Sequence, residues 1–193
     1  MKNLILLIIA IFAYCAFANA QVDESAIKKD VKSINKEESA LKQEKKAERK
    51  QLRKLKGTEV SYQAKQQFGI DFPKVTEAKW KRTTNFDEAV FMMNGKEMKA
   101  YYDDQSKMVG TSNNVTFSEL PKRAQKYINE KYKDYSVGPA VFFDDNEYNE
   151  TDMVLYGLQF DDEDSYFVEL AKDGKKIVVR SNSSGDVYFF KHL

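Results

Sequence analysis

The sequence predicts an α+β fold in which two helix-plus-antiparallel-sheet repeats follow a signal peptide and a charged helical extension. After Gly57, helix-like segments at 59–69 and 118–135 each precede several strand-like runs. Asn94-Gly95 and Asp173-Gly174 each join two such runs with a typical two-residue hairpin turn. Residues 103–114 and 172–183 also share Asp, Lys, Ser and Asn at a constant offset. The pattern predicts repeats at about 58–117 and 118–193.

The N-terminus predicts a secretory signal peptide over residues 1–20. Lys2 gives a positive start, residues 4–17 are almost wholly apolar, and Ala18-Asn19-Ala20 has the form of a cleavage site. A membrane anchor is the alternative, but the apolar run is shorter than the roughly 20 residues that span a bilayer. Cleavage before Gln21 would leave no transmembrane segment and would remove Cys15, the only cysteine. We therefore expect an exported protein, periplasmic or secreted, without disulfides or a thiol nucleophile.

Residues 21–57 are predicted to form a charged helical extension. Residues 24–56 contain no Gly, Pro or aromatic residue, and Gly57 ends the helical pattern. A solvated single helix and weak self-association through residues 24–56 both fit, because charged residues interrupt the apolar seam that a coiled coil requires. The seam contains apolar Ile27, Val31, Ile34, Leu41, Leu52 and Leu55, interrupted by Glu38, Lys45 and Glu48.

The charge distribution separates the extension from the rest of the chain. Residues 22–56 carry twelve Lys/Arg and seven Asp/Glu, whereas residues 57–193 carry eighteen and twenty-three. The net charge of +1 argues against nucleic acid as the main partner. The basic extension could instead lie against an anionic envelope polymer or lipid, although its apolar pattern is too interrupted for firm insertion.

The Asn94-Gly95 turn fixes the register of the first hairpin and predicts which side chains share a face. Phe91 should face Met98, and Ala89 should face Ala100, on one side of the sheet. The second turn likewise sets Leu170 opposite Ile177 and Val168 opposite Val179.

The opposite side of the first hairpin is also apolar, which a sheet covered on only one face does not require. If helices cover one side alone, this second side stays open, and an exposed apolar stripe is typical of a protein interface. We therefore expect a binding surface there. Trp80 is a core residue or a surface anchor of the same surface, and the sequence leaves both open. The candidate binding residues are Trp80, Phe86, Val90, Met92 and Tyr101.

Two motifs resemble those of the PepSY-like, beta-lactamase-inhibitor-like (BLIP-like) exported proteins of Bacteroidetes-type bacteria. Pro73 and Val75 precede Trp80, and Leu120-Pro121 opens a helix that ends near Tyr132. The resemblance covers residues 58–193 and implies repeats of a helix packed on an antiparallel sheet, with no assigned catalytic residues. The charged extension and the long acidic segment "DDNEYNETDMV" depart from the family pattern.

The sequence offers little for catalysis. His192 is the only histidine, and no phosphate-binding, zinc-protease or Cys-x-x-Cys motif occurs. We expect a non-enzymatic module without a cofactor, binding an unidentified protein or envelope ligand. The alternative is a calcium-responsive protein, since neighbouring carboxylates can begin a calcium shell. Those carboxylates are Asp144, Asp145, Glu147, Asp161, Asp162, Glu163 and Asp164, of which "DDED" also fits a solvated hairpin tip.

Overall fold

The computed structural model describes residues 24–55 and 57–193, so the predicted signal peptide lies outside the described residues. The extension forms helix α1, Glu24–Leu55. Its apolar residues Ile27, Val31 and Ile34 are exposed, and its self-association stays a prediction. Among the helices that the structure describes, none is both long and apolar enough to cross a membrane.

The rest of the chain contains two more α-helices, a 3₁₀ turn and ten strands. Helix α2 spans Tyr62–Asp71, the 3₁₀ turn Phe117–Glu119, and helix α3 Lys122–Lys131. The first four strands follow α2: β1 Ala78–Arg82, β2 Asp87–Met93, β3 Lys96–Tyr102 and β4 Met108–Val115. The others follow α3: β5 Ser136–Asp145, β6 Val154–Leu155, β7 Leu158–Gln159, β8 Ser165–Lys172, β9 Lys175–Asn182 and β10 Val187–His192.

Eight strands form one antiparallel sheet in the order β1-β2-β3-β4-β5-β8-β9-β10. The predicted registers are confirmed: Phe91 pairs with Met98, and Leu170 pairs with Ile177. Both hairpin turns have positive φ, 52° and 77° at Asn94 and Gly95. These are the type I′ conformations that fix this register. The predicted α+β class with helix-backed antiparallel strands is confirmed.

Both shorter helices pack on one face of the sheet. Ala64 and Phe68 of α2 are buried in a cluster with Phe91 and Tyr102. A second cluster, under α3, contains Leu120, Ala124, Ile128, Ala140, Val168, Leu170, Ile177 and Val179. The sheet therefore has a helix-bearing face and a helix-free face.

The helix ends differ from their predicted positions. Gly69 lies within α2, which continues to Asp71 because Phe72 supplies the cap by donating its backbone N–H to Phe68. Ser118 is not the cap of α3, because it lies in the 3₁₀ turn. That turn begins with a capping box between Thr116 and Glu119.

The connection between β5 and β8 covers part of the helix-free face. Residues 146–164, here called the cap, include the small β6–β7 hairpin, which is separate from the main sheet. The strand-like composition of "MVLYGLQFD" predicts a further strand of the main sheet, and this prediction is wrong because the segment forms the separate β6–β7 hairpin. Met153 and Phe160 of the cap are buried against Phe143 and Phe167. Burial of these apolar side chains stabilises the cap on the sheet.

Candidate functional site

Two candidate binding residues are buried by the cap. Phe86 is 3% exposed and Tyr101 is 4% exposed, and both belong to the cluster that contains Met153 and Phe160. The expectation that Phe86 and Tyr101 lie on an open surface is therefore wrong. The reason is physical: the cap closes over the part of the second side that carries Phe86 and Tyr101, so this part is core.

The first end of the cap is held by a buried carboxylate. Oδ2 of Asp103 accepts a hydrogen bond from Nδ2 of Asn149 at 3.2 Å and another from Oγ1 of Thr151 at 3.4 Å. Asn149 also donates to the backbone oxygen of Met108 at 3.0 Å. These bonds satisfy polar groups that would otherwise be buried without partners.

The other end of the cap is held by Arg180 of β9. Its Nη2 donates to Oε1 of Glu163 at 2.6 Å, and its Nε donates to Oγ of Ser165 at 2.9 Å. Its guanidinium carbon lies 4.9 Å from the centroid of the Phe160 ring. In the middle, Nζ of Lys191 donates to the backbone oxygen of Tyr156. The cap is thus fixed at both ends and along its length.

Part of the helix-free face remains outside the cap, on strands β2 to β4. Met92 is 60% exposed and Val90 is half-buried beside it. Glu97, Lys99 and Asn114 are exposed on the neighbouring strands. We call these five residues the open face. Val90 and Met92 are therefore the candidate binding residues that the structure leaves accessible on this side.

A pocket of about 260 Å³ lies where the open face meets the cap. Glu97, Lys99 and Asn114 line one side, and Leu155 and Tyr156 of the cap line the other. Within the described ranges, neither Glu97 nor Lys99 has an ion-pair partner. The pocket thus contains a carboxylate, an ammonium group and an amide that can contact a ligand.

The hydroxyl groups of two tyrosines at the pocket have a structural role. The hydroxyl of Tyr101 lies 2.8 Å from Oγ of Ser112, and burial raises the pKa of Tyr101 to about 12. Burial, together with the carboxylate of Glu169, raises the pKa of Tyr156 to about 12. Both side chains are therefore neutral hydrogen-bonding groups at physiological pH.

Trp80 lies on the helix-bearing face, away from the open face. Its ring is half-buried and makes an edge contact with Phe68 at 5.4 Å, and it lies 5.8 Å from Tyr102. The structure therefore does not bring Trp80 together with Val90 and Met92.

The acidic clusters meet at one end of the sheet. Asp145, Asp162 and Asp164 share a pocket of about 290 Å³, whereas Asp161 lies 3.4 Å from the guanidinium of Arg180. Burial raises the pKa of Asp144, as does the charge of Asp164. Among the residues with described positions, no three acidic, His or Cys side chains are arranged to hold a metal ion. The "DDED" segment is not a hairpin tip, because β7 pairs with β6 and not with β8.

The chain is similar in structure to several solved proteins of Bacteroides. A DUF2874 family protein from Bacteroides uniformis matches with a TM-score of 0.58 at 14% identity, covering 69% of this chain and 90% of that one. A BLIP-like protein from Bacteroides fragilis matches with a TM-score of 0.55 at 17% identity, covering 71% and 89%. The chain has a BLIP-like fold. The resemblance noted in the sequence is confirmed at the level of the fold.

A third structure with this BLIP-like fold comes from Bacteroides eggerthii and is named as a candidate periplasmic protein. It matches with a TM-score of 0.57 at 13% identity, covering 69% and 89%. Export of this chain stays a prediction from its N-terminal sequence. None of the three structures is named as an enzyme. The sequence matches no protein-family model and no curated protein.

Sequence reasoning missed Glu97, Lys99, Asn114 and Tyr156 as pocket residues. The alternation around the Asn94-Gly95 turn places Glu97 and Lys99 on the same side as Met92, so these two could have been found. Tyr156 could not, because its place depends on a cap that crosses the sheet.

Proposed function

We propose that this exported chain is a binding module that recognises a protein partner through the open face. The observation that supports it most is the pocket between the open face and the cap. There Glu97 and Lys99, which have no ion-pair partner among the described residues, lie close to exposed Met92. An apolar side chain surrounded by polar groups is typical of the centre of an interface. The likeness to a BLIP-like protein agrees with such a role but rests on fold alone.

Charge and shape support a protein partner over a small metabolite. Val90 and Met92 are on one strand of the sheet, and Glu97 and Lys99 of the next strand line the pocket beside them. Glu97 and Lys99 have opposite charges and are two residues apart on one strand, so both point from the same face. A partner surface with complementary charges can satisfy both at once.

Site-specific photo-crosslinking in the periplasm tests this proposal. A photoreactive residue replaces Met92 in one chain and Ile70 in a matched control, since Ile70 is 71% exposed on α2. We expect a discrete crosslinked species from position 92 that disappears when Lys99→Glu is added. Equal crosslinking from both positions would contradict the proposal. A crosslinked species whose yield does not change with Lys99→Glu would contradict it as well.

The calcium-responsive alternative has weaker support. It rests on one observation: Oδ1 of Asp145 is buried beside Asp162 and Asp164, and it has no hydrogen-bond partner among the described residues. Calorimetry measures the heat of calcium binding directly, with Asp162→Asn and Asp164→Asn as the variants. No heat of binding at millimolar calcium removes this alternative.

A further inference from the structure

A connected cluster of lysines and tyrosines occupies the end of the sheet where α3 finishes. Nζ of Lys131 lies 5.0 Å from the ring centroid of Tyr127 and 5.7 Å from that of Tyr132. The rings of Tyr132 and Tyr135 meet edge to face at 5.5 Å. Nζ of Lys172, at the end of β8, lies 5.7 Å from the Tyr135 ring. We call this cluster, with its neighbouring exposed lysines Lys133, Lys175 and Lys176, the lysine–tyrosine end.

Positive charge predominates at the lysine–tyrosine end, although the chain after Gly57 has more acidic than basic residues. The two segments that form it, residues 127–135 and 172–176, contain five lysines and three acidic residues, which are Glu130, Asp134 and Asp173. Lys172 is 3.4 Å from Asp134, and both side chains are largely solvent-accessible. Apolar surface is exposed as well, since Tyr127 is 36% exposed and Val137 is 42% exposed.

The acidic residues lie at the opposite end of the same strands. Strand β5 begins next to Tyr135 and ends at Asp145, and its pairing with β8 places Ser136 opposite Ala171 and Phe143 opposite Ser165. Ten strand residues span roughly 30 Å. The Debye length at physiological ionic strength is about 8 Å, so a charged surface touching one end is screened from the other.

We propose that the lysine–tyrosine end docks onto the surface of an anionic lipid membrane. Lysines close to such a surface are attracted to its headgroups. Tyrosine rings favour the boundary between lipid and water, where the ring is buried and the hydroxyl stays wet. This end consists of a helix terminus and a hairpin turn, not a groove, which suits a flat surface. The open face on β2 to β4 contributes no residue to the lysine–tyrosine end, so the inference goes beyond the proposed function.

Vesicle co-sedimentation with the protein purified after export tests this inference. The probes are phosphatidylcholine vesicles with and without about 30% phosphatidylglycerol, at low and physiological salt. We expect binding to the anionic vesicles alone. Combining Lys131→Gln, Lys133→Gln and Lys175→Gln should weaken it about tenfold or more. The control combines Lys65→Gln, Lys74→Gln and Lys107→Gln, exposed lysines elsewhere, and should bind nearly as the unchanged protein does.

The other outcomes each overturn the inference. Equal weakening by both sets of substitutions, or by neither, would assign vesicle binding to overall charge or to the basic helix α1. Absence of binding to anionic vesicles would also overturn it. Salt-sensitive self-association that the lysine substitutions abolish, without vesicle binding, would identify a second copy as the occupant. None of these results bears on crosslinking at Met92, so failure here is distinguishable from failure of the proposed function.

Discussion

At the scale of single residues, the Arg82–Asp87 ion pair joins the start of β2 to the end of β1. Nε and Nη2 of Arg82 each donate to the carboxylate of Asp87 at 2.7 Å, and the backbone N–H of Ser61 donates to it at 3.0 Å. Asp87 is fully buried and the Arg82 side chain is 9% exposed. A buried carboxylate depends on its partners, because its charge is otherwise unsatisfied.

Arg82→Ala is therefore expected to lower the free energy of unfolding by about 3–5 kcal/mol, since it leaves Asp87 buried without a counter-charge. The matched control is Arg123→Ala, which breaks the exposed pair with Asp186. That change should cost about 1 kcal/mol or less. Urea unfolding measures both, and similar losses for the two variants would contradict the expected role of burial.

Asp145 gives stability a pH dependence. Burial, followed by the charges of Asp162 and Asp164, raises its pKa from 3.8 to about 6. Because the folded pKa lies above the unfolded one, the cost of ionising Asp145 is absent below about pH 4 and complete above about pH 6. This group therefore destabilises the fold as pH rises through that window.

Asp145→Asn removes that charge and is expected to raise the melting temperature at neutral pH more than at pH 4. Thermal unfolding at both pH values measures the difference, with Glu77→Gln, an exposed position just before β1, as the control. An equal shift of the melting temperature at the two pH values would exclude Asp145 as the titrating group.

At the scale of elements, the cap decides how much of the helix-free face is accessible. Met153 is fully buried in the cluster beneath it, whereas Leu158 of the same hairpin region is 40% exposed. Substitution of Met153 therefore tests the packing under the cap, and substitution of Leu158 is a control for changing the cap sequence without changing that packing.

Met153→Ala is expected to cost about 2–5 kcal/mol, because it leaves a cavity between the cap and the sheet. Hydrogen exchange should become faster in residues 146–164 and in the strand carrying Tyr101, which the cap protects. Leu158→Ala should leave both nearly unchanged. If exchange in the cap is unaffected by Met153→Ala, the cap does not depend on this packing.

The cap is also the element that the sequence did not reveal. Two-residue turns at Asn94-Gly95 and Asp173-Gly174 predict strand register because only one pairing fits each turn. Residues 153–160 are rich in strand-forming Val, Leu, Tyr and Phe, and this composition cannot show that a segment crosses a sheet instead of joining it. The apolar second side of the first hairpin was the available signal. An apolar second side predicts a binding surface, although it also fits a core that another segment covers.

At the scale of the whole molecule, the fold class could be predicted, whereas the placement of the binding residues could not. Helix and strand periodicities are local and survive in the structure with small shifts at the helix ends. Exposure depends on contacts between distant segments, such as that of Tyr101 with the cluster containing Phe160. Val90 and Met92 remained accessible because the cap does not reach their end of β2.

The predicted signal peptide implies a processed N-terminus. Cleavage after Ala20 should give a mature chain that begins at Gln21 and lacks Cys15. Intact-mass measurement of the protein recovered from the periplasm checks this, and the thiol content should be zero. Retention of Cys15 in the recovered protein would favour an uncleaved membrane anchor.

The cap connects the neighbouring strands β5 and β8, and it begins and ends at the same end of the sheet. Insertions or deletions in the cap would therefore change the surface that is accessible to a binding partner, while the strand pairing of the eight-stranded sheet stays the same. A single scaffold of this kind can evolve toward larger or smaller targets by altering one loop.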